Sequence, residues 1–384
     1  MTTRIRTARR LQGLAQSEIR RMTRECERVG GLNLGQGICD LPTPPLVRDG
    51  AIAAIQAQQS TYSFAEGARE LREAIARKLE RDNGIKADPV SEICVTLGAT
   101  GAFACAINAL LDPGDGILLF EPYYGYHLNS ALVAGLVPQF ATLTPPDFSL
   151  NEAAIEAAIT EQTRAIVICT PSNPSGKMFT RDELATLARV AVKHDLLVIT
   201  DEIYEYIRYD GRPHVSPATL PGLRERTVSI MGLSKTFSIT GWRLGYAVAP
   251  EPLLRPITLV NDLYYVCAPT PLQLGAAAGF NAPQACFDEL QSGYQHKREL
   301  ICSALTAAGM PPIIPQGAYY VLADSRALAP TALVAALRLL EETKVASVPG
   351  TAFYRGDAGE GLLRFCFAKD DAVLEEACRR LRSR

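Results

Sequence analysis

"EICVTLGATGAFACAINALL", residues 92–111, changes character at a glycine. Up to Leu97 it is apolar without alternation, the pattern of a strand covered on both faces. Beyond Gly98 small and apolar residues run on at helical length. A strand passing straight into a helix is the repeating unit of an α/β sheet, and the exchange recurs downstream. "GILLFEP" (116–122), "AIVICTP" (165–171), "LLVITDE" (196–202) and "TVSIMG" (227–232) read as strands. Helical patterns lie between them at "AAIEAAI" (153–159) and "RDELATLARVAVKHD" (181–195). Ser149 with Glu152, and Thr180 with Glu183, have capping-box spacing ahead of those two helices. This order predicts a mostly parallel central sheet with helices on both faces and right-handed crossovers.

The pattern changes near residue 280. A long helical stretch (283–309) leads into "QGAYYVLAD" (316–324), a helix (330–343), the strand "LLRFCFA" (362–368) and a last helix (370–383). Two domains are expected, in keeping with 384 residues. Residues 46–280 form a large α/β domain; residues 1–45 and 281–384 form a smaller α+β domain with an N-terminal arm.

Composition narrows the class. Hydrophobic residues make up 47% and charged residues 21%, ordinary for a folded enzyme. A net charge of −2 offers no electrostatic reason to bind nucleic acid or an anionic membrane. No apolar run approaches the roughly 20 residues that cross a bilayer. The basic start, "MTTRIRTARRLQGL", lacks the apolar core of a signal peptide and reads as an arm, with an organellar presequence as the alternative. Ten cysteines show no C-x-x-C pair and sit largely in apolar runs, so they are expected as buried free thiols in a reducing cytoplasm. His127, His194, His214 and His296 are scattered without metal-ligand spacing, so no metal is expected.

In an open α/β sheet ligands bind beyond the carboxyl ends of the strands. "LGATGAF" offers a glycine turn and a helix start at Ala99 and Thr100, where free backbone N–H groups suit a phosphate. "EPYYGYH" brings Tyr123, Tyr124 and Tyr126 to the same edge, and "TPSNPSG" holds Asn173 between two prolines. Asp201 closes the strand before Tyr204. In "GLSKTFSITGWR" Lys235 stands among apolar and small neighbours, with Arg243 nearby. A desolvated lysine beside another cation has a lowered pKa and becomes a nucleophile. Each feature alone has an ordinary structural explanation, as a turn, a cap or packing. Together they describe a site for a phosphorylated aromatic aldehyde, pyridoxal 5'-phosphate, which needs a lysine amine and an acidic partner for its ring nitrogen.

With these segments in place, the chain resembles the fold-type I pyridoxal-phosphate enzymes, and within them the class I/II aminotransferases, aspartate-, aromatic- and kynurenine-aminotransferase-like. The resemblance runs from "LNLGQGICDLPTP" (32–44) through "YSFAEGARELREAIARKL" (62–79), "LGATGAF", "EPYYGY", "TPSNPSG", "DEIY" and "SKTFSITGWRLGY" to "PQGAYYVL" (315–322) and "LRFCFA" (363–368). It implies that Lys235 forms the Schiff base and then shuttles the proton, and that Asp201 pairs with the ring nitrogen. It places Asn173 and Tyr204 on the ring's phenolic oxygen, and Tyr124 and Ile203 on the two ring faces. The backbone of Ala99 and Thr100, Ser234 and Arg243 hold the phosphate. Arg364, with the Gly37 backbone nearby, grips the substrate α-carboxylate in a bidentate fork. Tyr62 reaches the phosphate of a neighbouring subunit, which implies a homodimer.

The chain departs from the family pattern at Gly232, where many relatives have serine, and at Cys39 and Leu41 beside the substrate. Thr100 stands where some aspartate-specific relatives carry lysine, which argues against a dicarboxylate as the preferred amino donor. Tyr62, Tyr126, Tyr264 and Tyr265 are candidates for an aromatic-tolerant pocket. The expected activity is transfer of the amino group of an L-α-amino acid, neutral or aromatic, to a 2-oxo acid by a ping-pong route. A β-lyase, cyclase or racemase on the same fold is the alternative. A non-catalytic sensor is disfavoured, because about 30 residues ahead of "LNLGQG" are too few for a DNA-binding module and Lys235 is present.

Overall fold

The computed structural model describes residues 8–11, 14 and 18–384. Most of the N-terminal arm expected over 1–14 lies outside the described residues. In chain order, β1 (Leu32–Asn33) is followed by β2 (Ile93–Leu97), β3 (Gly116–Glu121), β4 (Val137–Thr142), β5 (Thr163–Cys169), β6 (Leu197–Asp201), β7 (Thr227–Gly232) and β8 (Leu244–Val248). Strands β2 to β8 build one seven-stranded sheet in the order β2-β8-β7-β6-β5-β3-β4. β8 runs antiparallel to both its neighbours, and the remaining pairings are parallel.

The unbroken apolar runs follow from helices on both faces. In β3, Ile117 and Leu119 join one buried cluster and Leu118 and Phe120 the other. β5 divides the same way, Ala165 and Val167 against Ile166 and Ile168. The pleat sends successive side chains to opposite faces, so a strand buried on both needs no polar alternation. Fully burying one such side chain contributes about 1.5–3 kcal/mol, so the layered core is the main source of stability.

Two strands of the large sheet escaped the sequence reading. β4 is an edge strand containing Pro138 and Gln139, with an exposed Val137, so its apolar signal is weak. β8 follows Lys235 closely and reads as an extension of that loop. One capping assignment is corrected. The helix Glu152–Ala158 is capped by Asn151, whose side chain accepts from the Ala154 N–H at 3.1 Å, and not by a Ser149–Glu152 box. Ser149 is instead drawn into a bridge with Thr144. The Thr180–Glu183 box forms in both directions, at 3.2 and 2.9 Å.

Beyond the large sheet come β9 (Pro312–Ile313), β10 (Tyr320–Asp324), β11 (Val345–Ala346), β12 (Val348–Pro349) and β13 (Leu362–Cys366). β12-β13-β10-β9 form an antiparallel sheet, and β11 pairs with β1 in parallel. Helices Gln284–Ala307, Ala332–Thr343 and Asp371–Arg382 and the N-terminal helix α1 (Glu18–Arg28) share one apolar cluster with this sheet. Arg364 stands in the middle of β13, opposite Leu322 on one side and Val348 on the other. Among the described residues no helix is long and apolar enough to cross a membrane.

Candidate active site

The reversed direction of β8 decides where Arg243 lies. Its first residue, Leu244, pairs with Leu97 at the carboxyl end of β2, and Gly245 pairs with Gly232 at the carboxyl end of β7. Arg243 therefore reaches the same rim as the residues that follow the parallel strands. Gly98 takes a φ of +70° as β2 turns into the helix Gly98–Leu110. A Cβ on Gly98 would stand 2.7 Å from Arg243 Nη2, so only glycine lets the guanidinium lie against this helix start. The first N–H groups of a helix have no partner within it. Backbone donors, the Ser234 hydroxyl and a cation thus converge on one cradle.

That cradle belongs to a cavity of about 440 Å³. Ala99, Thr100, Tyr124, Asn173, Asp201, Ile203, Tyr204, Ser234, Lys235, Arg243, Gly37 and Arg364 all line it. Tyr62 does not; it is 81% exposed. Of the aromatic-pocket candidates Tyr126 lines the cavity, whereas Tyr264 is exposed and Tyr265 packs against an apolar cluster elsewhere.

Lys235 follows β7 in the short helix Leu233–Thr236. Its ammonium position lies 5.4 Å from the Tyr319 ring centroid and 6.0 Å from that of Tyr204. Burial lowers its pKa and is the largest cause; Arg243 lowers it further, by less, while Cys366, Cys39 and Asp201 pull the other way. Desolvation therefore outweighs the neighbouring cation that the sequence drew attention to.

Asp201 is buried at the end of β6. Its Oδ2 lies 3.0 Å from His127 Nε2, and since a carboxylate only accepts, that nitrogen carries the proton. The His127 ring is itself wedged between Phe103, at 4.6 Å, and Tyr124, edge-on at 5.2 Å. Sequence reasoning set His127 aside among the scattered histidines. Its distance from Asp201 in the chain hid a contact that only the strand order creates.

Tyr204 donates to the Tyr320 hydroxyl at 3.3 Å. Burial pushes both phenols up, Tyr320 to about 12, so both keep their protons. Tyr320, quoted in the resemblance without a role, also crowds Gly37. A Cβ there would fall 1.8 Å from its hydroxyl oxygen.

Arg364 is 1% exposed and stacks between the rings of Tyr320, at 4.3 Å, and Phe353, at 4.7 Å. It donates through Nη1 to Asn173 Oδ1 at 2.9 Å and through Nη2 to the Gly35 carbonyl at 2.6 Å. A guanidinium has five N–H donors. Its buried Nε has no partner among the described residues. A buried, unsatisfied cationic donor lining a cavity is suited to an incoming carboxylate.

The donor set fits pyridoxal phosphate on its chemistry. The lining supplies a cation and helix-start N–H groups for a dianion, a tyrosine ring and Ile203 for a flat ring, a buried carboxylate, and a desolvated amine.

The comparisons agree with this geometry. The family described as "Aminotransferase class I and II" matches residues 29–381. The chain is 36% identical over 353 residues to the aspartate aminotransferase of Pyrococcus abyssi, covering 91% of this chain and 90% of that protein. It is 34% identical over 376 residues to aromatic-amino-acid aminotransferase 2 of Thermococcus litoralis, covering 97% and 96%. The solved structure of N-succinyldiaminopimelate aminotransferase from Mycobacterium tuberculosis superposes with a TM-score of 0.95 at 34% identity, covering 98% of this chain and 100% of that one. Composition, sheet topology, the lining of the cavity and these likenesses together place the chain in the class I and II aminotransferases, enzymes of the fold-type I α/β architecture.

Proposed function

We propose that the protein transfers the amino group of a neutral or aromatic L-α-amino acid to a 2-oxo acid, with pyridoxal phosphate held in the 440 Å³ cavity. The observation that carries this reading is the pairing, in one cavity, of a desolvated Lys235 with a buried Arg364 that keeps unsatisfied donors. When bound, the cofactor supplies an aldehyde for the amine and a protonated ring that takes up the electron pair left at Cα.

The residues around it have separable tasks. Arg364 binds the substrate α-carboxylate and fixes which Cα bond faces Lys235. Lys235, whose pKa burial lowers, accepts the Cα proton and returns it one carbon away. Asp201, oriented by His127, presents its charge to the ring nitrogen. Tyr124 and Ile203 confine the ring, and Asn173 and Tyr204 donate to its phenolic oxygen. Ala99, Thr100, Ser234 and Arg243 hold the phosphate. Both substrates pass through one site in turn, which makes the kinetics ping-pong. Ile19, Ile38 and Tyr126 in the cavity wall support a neutral or aromatic side chain.

We further propose a cytoplasmic homodimer whose subunits divide into domains 46–280 and 1–45 with 281–384. Tyr62, Phe64, Leu259, Leu263 and Tyr264 are all exposed. Their segments are tied together, Asn261 Nδ2 to the Ala65 carbonyl at 3.0 Å and Thr270 Oγ1 to the Thr61 carbonyl at 2.7 Å. Exposed apolar side chains on adjoining segments suit an interface, and Tyr62 within it suits a reach into the partner's cradle. The ten cysteines are unpaired, as a reducing compartment allows.

The test is a half-reaction screen. Cofactor-loaded protein is mixed with single amino acids while the absorbance of the bound cofactor and the released 2-oxo acid are followed. Stoichiometric oxo acid without ammonia supports transfer. Ammonia and pyruvate released with no oxo-acid acceptor point to the lyase. Replacing His127 with leucine should weaken cofactor retention and slow turnover roughly ten-fold, the worth of one hydrogen bond to a charged group. Unaltered retention and turnover would remove it from the site.

A further inference from the structure

Two rings flank the Arg364 guanidinium, and they are fixed in different ways. Tyr320 lies in β10, in register beside β13. Phe353 ends the short helical turn Gly350–Phe353, in the connection from β12 to β13 and outside either strand. The groups that fix this turn come from the large sheet.

Glu121, the last residue of β3, is 2% exposed. Its Oε1 accepts from the Arg355 backbone N–H at 2.6 Å and from Arg355 Nε at 3.2 Å. Its Oε2 accepts from Arg355 Nη2 at 3.1 Å and from Thr142 Oγ1, at the end of β4, at 2.9 Å. Two residues on, Tyr123 donates its backbone N–H to the Phe353 carbonyl at 2.9 Å and its hydroxyl to the Tyr354 carbonyl at 3.0 Å. Each of residues 353, 354 and 355 is thus tied to the stretch 121–123. The Arg355 guanidinium, itself exposed, lies 4.2 Å from the Phe140 ring centroid. A carboxylate as deeply buried as Glu121 is costly unless every lone pair is matched, so the clasp stands or falls as a unit.

We infer that Glu121 and Arg355 are positioning residues for substrate binding. Through the backbone of 353–355 they set Phe353 against Arg364, and so fix the direction in which the guanidinium meets the α-carboxylate. The inference rests on the reading that Arg364 holds that carboxylate. Neither Glu121 nor Arg355 lines the cavity, so neither touches a ligand there. Direction matters because a fork binds two carboxylate oxygens only when the two planes align. The clasp also begins three residues before Tyr124, which lines the cavity. One set of hydrogen bonds therefore holds the residue proposed to confine the ring in a fixed relation to the residue proposed to grip the substrate.

The experiment is titration of the cofactor-loaded protein with pentanoate, an unreactive monocarboxylate, alongside thermal melting of the same samples. Glu121→Gln should weaken pentanoate binding roughly five-fold, as coupling within one hydrogen-bond network does. Arg355→Ala keeps the backbone N–H bond to Glu121 and should weaken it roughly three-fold; its side chain is exposed, so this variant carries the test if Glu121→Gln does not fold. Arg355→Lys, which keeps a cationic donor, should recover part of the loss. A tie that served stability alone would lower the melting temperature and leave pentanoate affinity where it was. Unchanged affinity in Arg355→Ala, with or without a lower melting temperature, overturns the proposal, and so does a loss that Arg355→Lys does not relieve. Arg364→Ala must itself weaken pentanoate; if it does not, the underlying reading of the site fails, whatever the clasp does.

Discussion

Lys235→Ala should lower amino-group transfer by roughly four orders of magnitude, the upper end of what one positioned acid–base group contributes. The loss is large because two tasks fall on the same atom. In the proposed reading the amine is both the group to which the cofactor is covalently attached and the base that moves the Cα proton. Both need it neutral. Burial pushes its pKa in that direction, with Arg243 adding a smaller push. Borohydride reduction of the wild-type holoenzyme should fix the cofactor at position 235, as read by peptide mass, and the variant should show no such adduct. Lys235→Arg should fold and remain inactive, since a guanidinium stays charged at any accessible pH. Near-wild-type turnover in Lys235→Ala would refute the assignment.

Arg364→Ala should raise the half-saturating concentration of both amino acid and oxo acid about 100-fold, the equivalent of one strong or two ordinary hydrogen bonds to a charge. kcat should change less, because the fork binds substrate and transition state alike. Some stability is lost as well. Truncation empties a site packed between Tyr320 and Phe353 and leaves Asn173 Oδ1 and the Gly35 carbonyl without their donor. Thermal melting of the loaded protein separates that cost from the binding defect. Arg364→Lys should not restore affinity, since an ammonium cannot donate in a bidentate fork and cannot stack as a plane does. Saturation curves that superpose on the wild type would take Arg364 out of the substrate site.

The two substitutions act on residues found in different ways. Lys235 carried a local signal, an amine in an apolar run after a strand, but it became a candidate only together with the other loops at the same sheet edge. Arg364 was not legible in this way. Within "LLRFCFA" it reads only as a charge in a buried strand, and its task came from resemblance. His127 and Tyr320 carried no local signal. A histidine four residues after a tyrosine is unremarkable until its ring is found 3.0 Å from Asp201.

The sequence by itself determined the alternation of strands and helices, the layered core and which loops line the cavity. Those features are written in short-range periodicity, which depends on neighbours two to four positions away. Only the tertiary structure decided that β8 runs backwards and so delivers Arg243 to the rim. It alone seats His127 against Asp201 and buries Lys235, the chief cause of its lowered pKa. These are consequences of strand order and of water excluded by distant segments. No local pattern encodes them, because the partners lie 74 residues apart for His127 and Asp201, and 191 for Asn173 and Arg364.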